Sequence, residues 1–338
     1  MKKSDHMSTV MKPNVLIVSN HWGAKKLSPS AGIFVDRQLT SLEKVGVGIS
    51  TFDIGVSHSP VQIIRKWLEL RRLVQKLNPD LIHGRYGTIV GLVSAFAGRP
   101  TVITFCGGDL LVGASIPLVR QYVGFLLSNL AALRAKRLIC VSEELRQALW
   151  WRKSQGVVIP DGVDLALFSP GSQEVARKQL GWELNQPIVI LNVRNDPQAK
   201  GRDLAMAAMQ VVRSRIPEAK LRLIENVEPN RMPLYYRAAD ALLCLSLSEG
   251  SPNVVKEALA CNLPVVSTPV GDVRERLAGV QPSTVVPRDA KAIGEALARI
   301  LLERKRCNGR ERVASLSLEN IAQRIVDEYR NALGVQAD

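Results

Sequence analysis

Short apolar runs alternate with amphipathic stretches along this chain in a strand, helix, strand rhythm. Residues 15–19, 100–105, 137–141 and 157–159 are near-continuous apolar segments, as expected of strands buried on both faces of a parallel sheet, and a further strand, 80–83, follows the Asn78-Pro79 turn. Between them, the pattern predicts a helix over residues 35–45 and two basic, apolar helices over residues 61–77 and 116–137. Ser142, followed by Glu143 and Glu144, is placed to cap another helix. The second half repeats the scheme. Strands are expected at residues 188–191, 221–224, 241–247 and 264–267, with helices at 203–215, 232–239, 252–260, 293–303 and 317–333. The last helix aligns Ile321, Ile325, Tyr329 and Leu333 on one face. The class implied is α/β with parallel sheets, and 338 residues is long for a single core.

The chemistry concentrates where the strand at 241–247 meets its helix. Glu249-Gly250-Ser251-Pro252-Asn253-Val254 leads to Glu257, which sets two carboxylates eight positions apart across the junction. Ser251 reads as the N-cap and Pro252 as the first helical residue, with Glu257 about two turns inside. The amides of Asn253 and Val254 then face the loop, an anion site at the positive end of a helix. Arg194 and Lys200 follow the strand at 188–191, at the carboxyl edge of the sheet where open α/β folds bind ligands. Two cations and oriented amides in one half suit a diphosphate.

Residues 247–275 resemble the nucleotide-sugar site of the retaining glycosyltransferases of family 4, which have the GT-B fold. The resemblance is carried by Glu249-Gly250-Ser251-Pro252-Asn253, Glu257-Ala258, Asn262-Leu263-Pro264-Val265-Val266 and Gly271-Asp272-Val273. Ile159-Pro160-Asp161-Gly162-Val163-Asp164 is similar to the segment joining the halves of that fold. Asn192-Val193-Arg194 with Lys200-Gly201 is similar to its basic pair, and Ser19-Asn20-His21-Trp22 with Ala31-Gly32-Ile33-Phe34-Val35 to its first loop. The resemblance implies two Rossmann-like domains facing a cleft, at residues 1–168 (acceptor side) and 169–315 (nucleotide-sugar side), with a helix at 316–338 crossing back. It implies a catalytic set of Arg194, Lys200, Glu249 and Asp109. Glu249 would hold the transferred sugar's hydroxyls and Glu257 the ribose hydroxyls. Gly32, Ser251, Asn253 and Val254 would complete the donor site. The acceptor-side candidates are His21, Cys106, Gly107 and Asp109. Cys106 departs from the family's usual histidine, and a thiol does not replace imidazole as a proton carrier near neutral pH without a lowered pKa. Asp109 reads equally as a cleft carboxylate or as a satisfied turn residue. His83, at a strand end, reads equally as facing the cleft or as packed.

Charge and composition narrow the alternatives. The net charge is +14, and residues 1–168 carry 21 Lys/Arg against 11 Asp/Glu. Aromatics are only 5% of the chain and no nucleic-acid-binding signature accompanies the charge, so an anionic membrane surface is preferred over nucleic acid as its partner. The five cysteines form no C-x-x-C pair, which fits reduced thiols without zinc. Neither a secretory leader nor a membrane-spanning run is apparent, and a cytoplasmic protein, peripheral on the inner face of the membrane, is expected. No Asp-x-Asp pair occurs, so metal-independent transfer without a cofactor is expected, from a nucleotide-diphosphate-sugar donor (UDP slightly favoured over GDP) to a growing, lipid-linked glycan. The resemblance is strongest to bacterial exopolysaccharide and teichuronic-acid-type enzymes. The rivals are a nucleotide-sugar epimerase of the same fold and a non-catalytic donor-binding or basic surface-binding subunit.

Overall fold

The structure, a computed structural model, describes residues 12–20, 22, 32–55, 59–111, 117–193 and 196–335. His21 and Arg194, both expected at the site, lie outside the described residues. Strands β1 (Asn14–Ser19), β2 (Gly48–Asp53), β3 (Leu81–Arg85), β4 (Thr101–Phe105), β5 (Arg137–Cys140) and β6 (Gly156–Val158) form one sheet in the order β2-β1-β3-β4-β5-β6. Strands β7 (Ile188–Asn192), β8 (Lys220–Ile224), β9 (Ala241–Cys244), β10 (Val265–Ser267) and β11 (Thr284–Val285) form a second, in the order β11-β10-β9-β7-β8. Every pairing in both is parallel. The chain is therefore two Rossmann-like α/β units of GT-B type. β3 and β4 are buried throughout, and β3 buries the polar side chains of His83 and Arg85 with its apolar ones.

The helices of the first unit are α1 (Ile33–Lys44), α2 (Pro60–Leu77), α3 (Thr88–Ala95), α4 (Leu118–Arg134) and α5 (Glu143–Ala148). Those of the second are α6 (Gln173–Leu180), α7 (Arg202–Arg213), α8 (Met232–Ala238), α9 (Asn253–Ala260), α10 (Val273–Leu277), α11 (Ala290–Glu303) and α12 (Gly309–Val313), followed by α13 (Leu318–Leu333). Side-chain caps set several starts. The Ser59 hydroxyl accepts from the Gln62 amide in a reciprocal capping box, and Ser142 and Ser317 accept from the amides of Leu145 and Asn320.

β9 ends three residues earlier than its apolar run. The carbonyls of Leu245 and Ser246 accept from Arg288, and the Leu247 amide donates to Ala199, so this stretch leaves the ladder and enters the cleft wall.

Helix α13 lies against the first sheet and α1, burying Ile321, Ile325 and Tyr329, with Leu333 half-buried. The Tyr329 hydroxyl is 2.7 Å from His83 Nδ1, and Arg137 donates to Glu328 at 2.6 Å. Each large apolar side chain buried here is worth about 1.5–3 kcal/mol, so packing outweighs the partly exposed ion pair in holding the helix. His83 is a core residue, not a cleft residue. Its Nε2 is 2.7 Å from the Thr104 hydroxyl, and burial, aided by the Arg85 charge, lowers its pKa to about 3.

Candidate active site

A cleft of about 190 Å³ opens between the two sheets. Its floor is the carboxyl ends of β7 and β9, represented by Leu191, Asn192, Leu243 and Cys244. The order β9-β7-β8 makes this the point where the chain reverses its progress across the sheet, and open α/β sheets take ligands at such points. Across the cleft, α1 contributes Ile33, Phe34 and Arg37, and the loop after β4 contributes Cys106.

Glycines bring the walls together. Gly32 precedes α1 with φ 75°, in the left-handed region, which leaves the helix start without a side-chain cap. A Cβ on Gly250 would sit 2.2 Å from the Cys106 carbonyl oxygen, so only glycine lets the β9–α9 loop touch the first unit there. Gly107 is on the other side of that contact, with Gly250 N 3.4 Å from the position of an added Cβ.

The expected cap of α9 shifts by one residue. Pro252 is the N-cap and Asn253 the first helical residue, while the Ser251 hydroxyl donates to Asp272 at 2.8 Å instead of capping the helix. Glu257 is accordingly little more than one turn in. Asn253 and Val254 still line the cleft, and their amides lie in the first turn, where no intrahelical acceptor exists. The positive end of α9 thus faces the cavity.

Beneath it runs a buried ionic chain. Lys256 is fully buried and donates to the Asp161 carbonyl at 2.8 Å and to Ser251 Oγ at 3.0 Å. The Asp161 carboxylate accepts from Arg85 at 2.8 Å. Burial alone would raise the Asp161 pKa, but the charges of Arg85 and Lys256 and a hydrogen bond from Asn253 hold it down to about 2. Strand β3 of the first unit is thereby tied to α9 of the second through the connecting segment.

Both acids of the junction line the cleft, each already held by neighbours. Glu249 accepts from the Lys200 ammonium and from Ser246 Oγ at 2.8 Å. Lys200 is brought there by Gly201, whose φ of 79° and close approach to the Leu245 carbonyl exclude a side chain. Glu257 accepts from Arg37 at 3.2 Å and from the Tyr236 hydroxyl at 2.9 Å. Nothing local in the sequence marks Arg37 or Tyr236 as partners of Glu257. The first-loop resemblance stops at Val35, and the Arg37–Glu257 contact spans 220 positions, beyond any local signal.

The acceptor-side residues divide. Cys106 lines the cleft, and burial pushes its thiol pKa well up, so it is a neutral thiol. Asp109 is fully buried and absent from the cleft lining. It accepts from the amides of Gly87, Cys106 and Gly107 at 2.8–3.1 Å, which makes it the residue that folds the loop. Burial raises its pKa against those bonds. Of the two readings of Asp109, the satisfied turn residue is the one its surroundings support. Among the described residues no group of three His, Cys, Asp or Glu side chains is placed to hold a metal ion.

A family model for glycosyltransferase family 4 matches residues 27–167, and one for glycosyl transferases group 1 matches residues 201–303. Bacillus subtilis TuaC, named as a teichuronic acid biosynthesis glycosyltransferase, is 26% identical over 345 aligned positions, covering 81% of this chain and 85% of TuaC. Sucrose-phosphate synthase of Thermosynechococcus elongatus superposes with a TM-score of 0.74 at 20% identity, over 95% of this chain and 99% of that one. Anabaena HepE in complex with UDP-glucose does so at 0.67 and 18% identity, over 93% and 99%. At those identities the structural likeness speaks for the fold alone. The family is carried by the two matched halves: this chain belongs to the family 4 glycosyltransferases of GT-B fold.

Proposed function

We propose that the chain is a retaining, metal-independent hexosyltransferase that moves a sugar from a nucleotide diphosphate, UDP before GDP, to a hydroxyl of a growing, lipid-linked glycan. The observation that carries this reading is the convergence of Lys200, Glu249, the positive end of α9 and Glu257 on one cleft at the switch point of the second sheet. That combination offers one cation and free amides for a diphosphate, with a carboxylate on either side for sugar hydroxyls. The complex of HepE with UDP-glucose is consistent with the same class of donor.

In this reading the nucleotide's ribose lies against Glu257 and the transferred sugar against Glu249. Lys200, with Arg194, stabilises the charge that grows on the leaving diphosphate. The leaving phosphate takes the proton of the attacking hydroxyl on the same face, so no protein base is required. The neutral Cys106 and the buried Asp109 are compatible with that, since neither is set up to shuttle a proton. The cleft supplies positioning and charge stabilisation.

A thermal-shift screen of nucleoside diphosphates tests the donor class. At 100 times its dissociation constant the correct nucleotide adds about 2.7 kcal/mol of stability. No shift with any nucleotide at millimolar concentration would remove the donor assignment.

A further inference from the structure

Among the described residues nothing covers one face of helix α4. Leu118, Val119, Tyr122, Val123, Leu126 and Leu130 recur at helical spacing, and all are exposed, Val119 at 78% and Tyr122 at 63%. The opposite face is buried against the first unit through Gln121, Phe125, Ser128 and Ala132. Soluble monomers rarely leave a contiguous apolar stripe of this length in water.

Two exposed tryptophans are tied to the C-terminal end of the helix. Trp150 and Trp151 are exposed and stacked edge to face, with ring centroids 5.7 Å apart. They are fixed to α4 by the Trp150 amide, which donates to Asn129 at 2.8 Å, and by Arg152, which donates to the Ala135 carbonyl at 2.6 Å.

The charge along the helix and the turn after it has one sign. Residues 117–142 contain no Asp or Glu, and their Arg120, Arg134 and Lys136 are exposed, while Arg137 is turned to Glu328 on α13. On α2, the other basic helix, Arg65 and Lys66 are both paired with Glu69, and the exposed apolar set is shorter. An apolar face that no described residue covers, exposed basic residues at its border and a pair of exposed tryptophans are what an anionic lipid interface recognises.

We propose that α4 together with Trp150 and Trp151 lies in the interface of an anionic membrane, with the apolar face against the acyl boundary and the basic residues among the headgroups. The face also connects to the cleft. Ser128, on the buried side of α4, donates to the Asp109 carbonyl at 2.8 Å and accepts from the Thr88 amide at 2.8 Å. The surface is thus joined rigidly to the loop that carries Cys106, where a membrane-anchored acceptor would arrive. That consequence rests on the proposed function, whereas the docking itself does not and is measured without donor.

The experiment is co-sedimentation of the full chain with vesicles of phosphatidylcholine alone or mixed with phosphatidylglycerol. The protein should bind the mixed vesicles and leave the neutral ones in the supernatant. The triple change Val119→Gln, Val123→Gln, Leu126→Gln should weaken partitioning by at least about tenfold, because each apolar side chain withdrawn from lipid removes a favourable transfer term. All three positions are exposed, so the melting temperature should hold and loss of binding would not reflect unfolding. Brominated lipid should quench tryptophan emission in the native chain and much less after Trp150→Phe, Trp151→Phe. Ile64→Gln, Leu68→Gln on α2 should bind as the native chain does. Undiminished binding by the triple variant overturns the proposal. So does a native chain that ignores vesicles but self-associates through this face, with the triple variant monomeric, since the stripe would then be a protein interface.

Discussion

Glu257→Gln removes one charge from the cleft and almost nothing from its shape. In the native protein one carboxylate oxygen accepts from Arg37 and the other from Tyr236. The side chains of Arg37 and Glu257 are 13% and 9% exposed, so the substitution leaves a guanidinium largely buried without its counter-charge. Breaking such a pair in a dry interior costs about 3–5 kcal/mol. Here the pair borders an open cleft and the amide carbonyl still accepts, so a loss of about 1–2 kcal/mol in stability is expected. Nucleotide affinity should suffer separately. A hydrogen bond to a charged group is worth about 1.5–3 kcal/mol, which is roughly a 10- to 150-fold rise in Kd. Isothermal titration with UDP and GDP reads the affinity, and a circular dichroism melt reads the fold. Arg37→Gln is the control: it breaks the same ion pair but keeps the carboxylate, so it should match the stability loss and weaken binding less. Equal affinities of native protein and Glu257→Gln for both nucleotides would refute the ribose contact.

Lys200→Ala and Arg194→Ala should each lower turnover more than they raise the donor KM, because the leaving diphosphate gains charge in the transition state. A rise in KM alone would confine the pair to ground-state binding. EDTA should leave activity unchanged, and loss on chelation restored by Mg²⁺ or Mn²⁺ would contradict metal-independent transfer. Stability should fall as the medium is acidified below pH 6.5. The pKa of His83 is depressed to about 3, so between that value and 6.5 the unfolded chain binds a proton the folded one does not. Unfolding free energy then drops by about 1.4 kcal/mol per pH unit across that window. Urea titrations at several pH values measure the slope, His83→Gln should flatten it, and an unaltered slope would place the acid sensitivity elsewhere.

Much of this architecture was legible in the sequence because buried parallel strands cannot hide. β1, β4, β5, β7 and β9 each stand out as a largely apolar run, and β3 is marked by the Asn78-Pro79 turn before it. β2 leaves no such mark, because Gly48–Asp53 is an edge strand of mixed burial, with no apolar run and no strict alternation. Helix α3, Thr88–Ala95, carries Ile, Val, Gly, Leu and Val in succession, a composition that fits a strand as well as a buried helix. The acids and amides of the β9–α9 junction were visible because their spacing is local. Their partners were not. Arg37, Tyr236 and Asp161 reach the site from other elements, and only the packing of two sheets brings them there. The cap expected at Ser251 fails for a related reason: a hydroxyl that could serve the helix is claimed by Asp272, itself bonded to Arg276 at 2.8 Å.

The central claim is that the cleft breaks the bond between a sugar and a nucleoside diphosphate with retained configuration. Proton NMR of the native chain with a panel of nucleotide-sugars, with and without glycan acceptor, follows that bond directly. The account predicts release of nucleoside diphosphate from one donor, acceleration by acceptor, and a product whose anomeric proton keeps the donor's configuration. An inverted product contradicts the front-face mechanism. A donor that is isomerised, or that persists unchanged in the presence of a bound acceptor, contradicts the transferase reading.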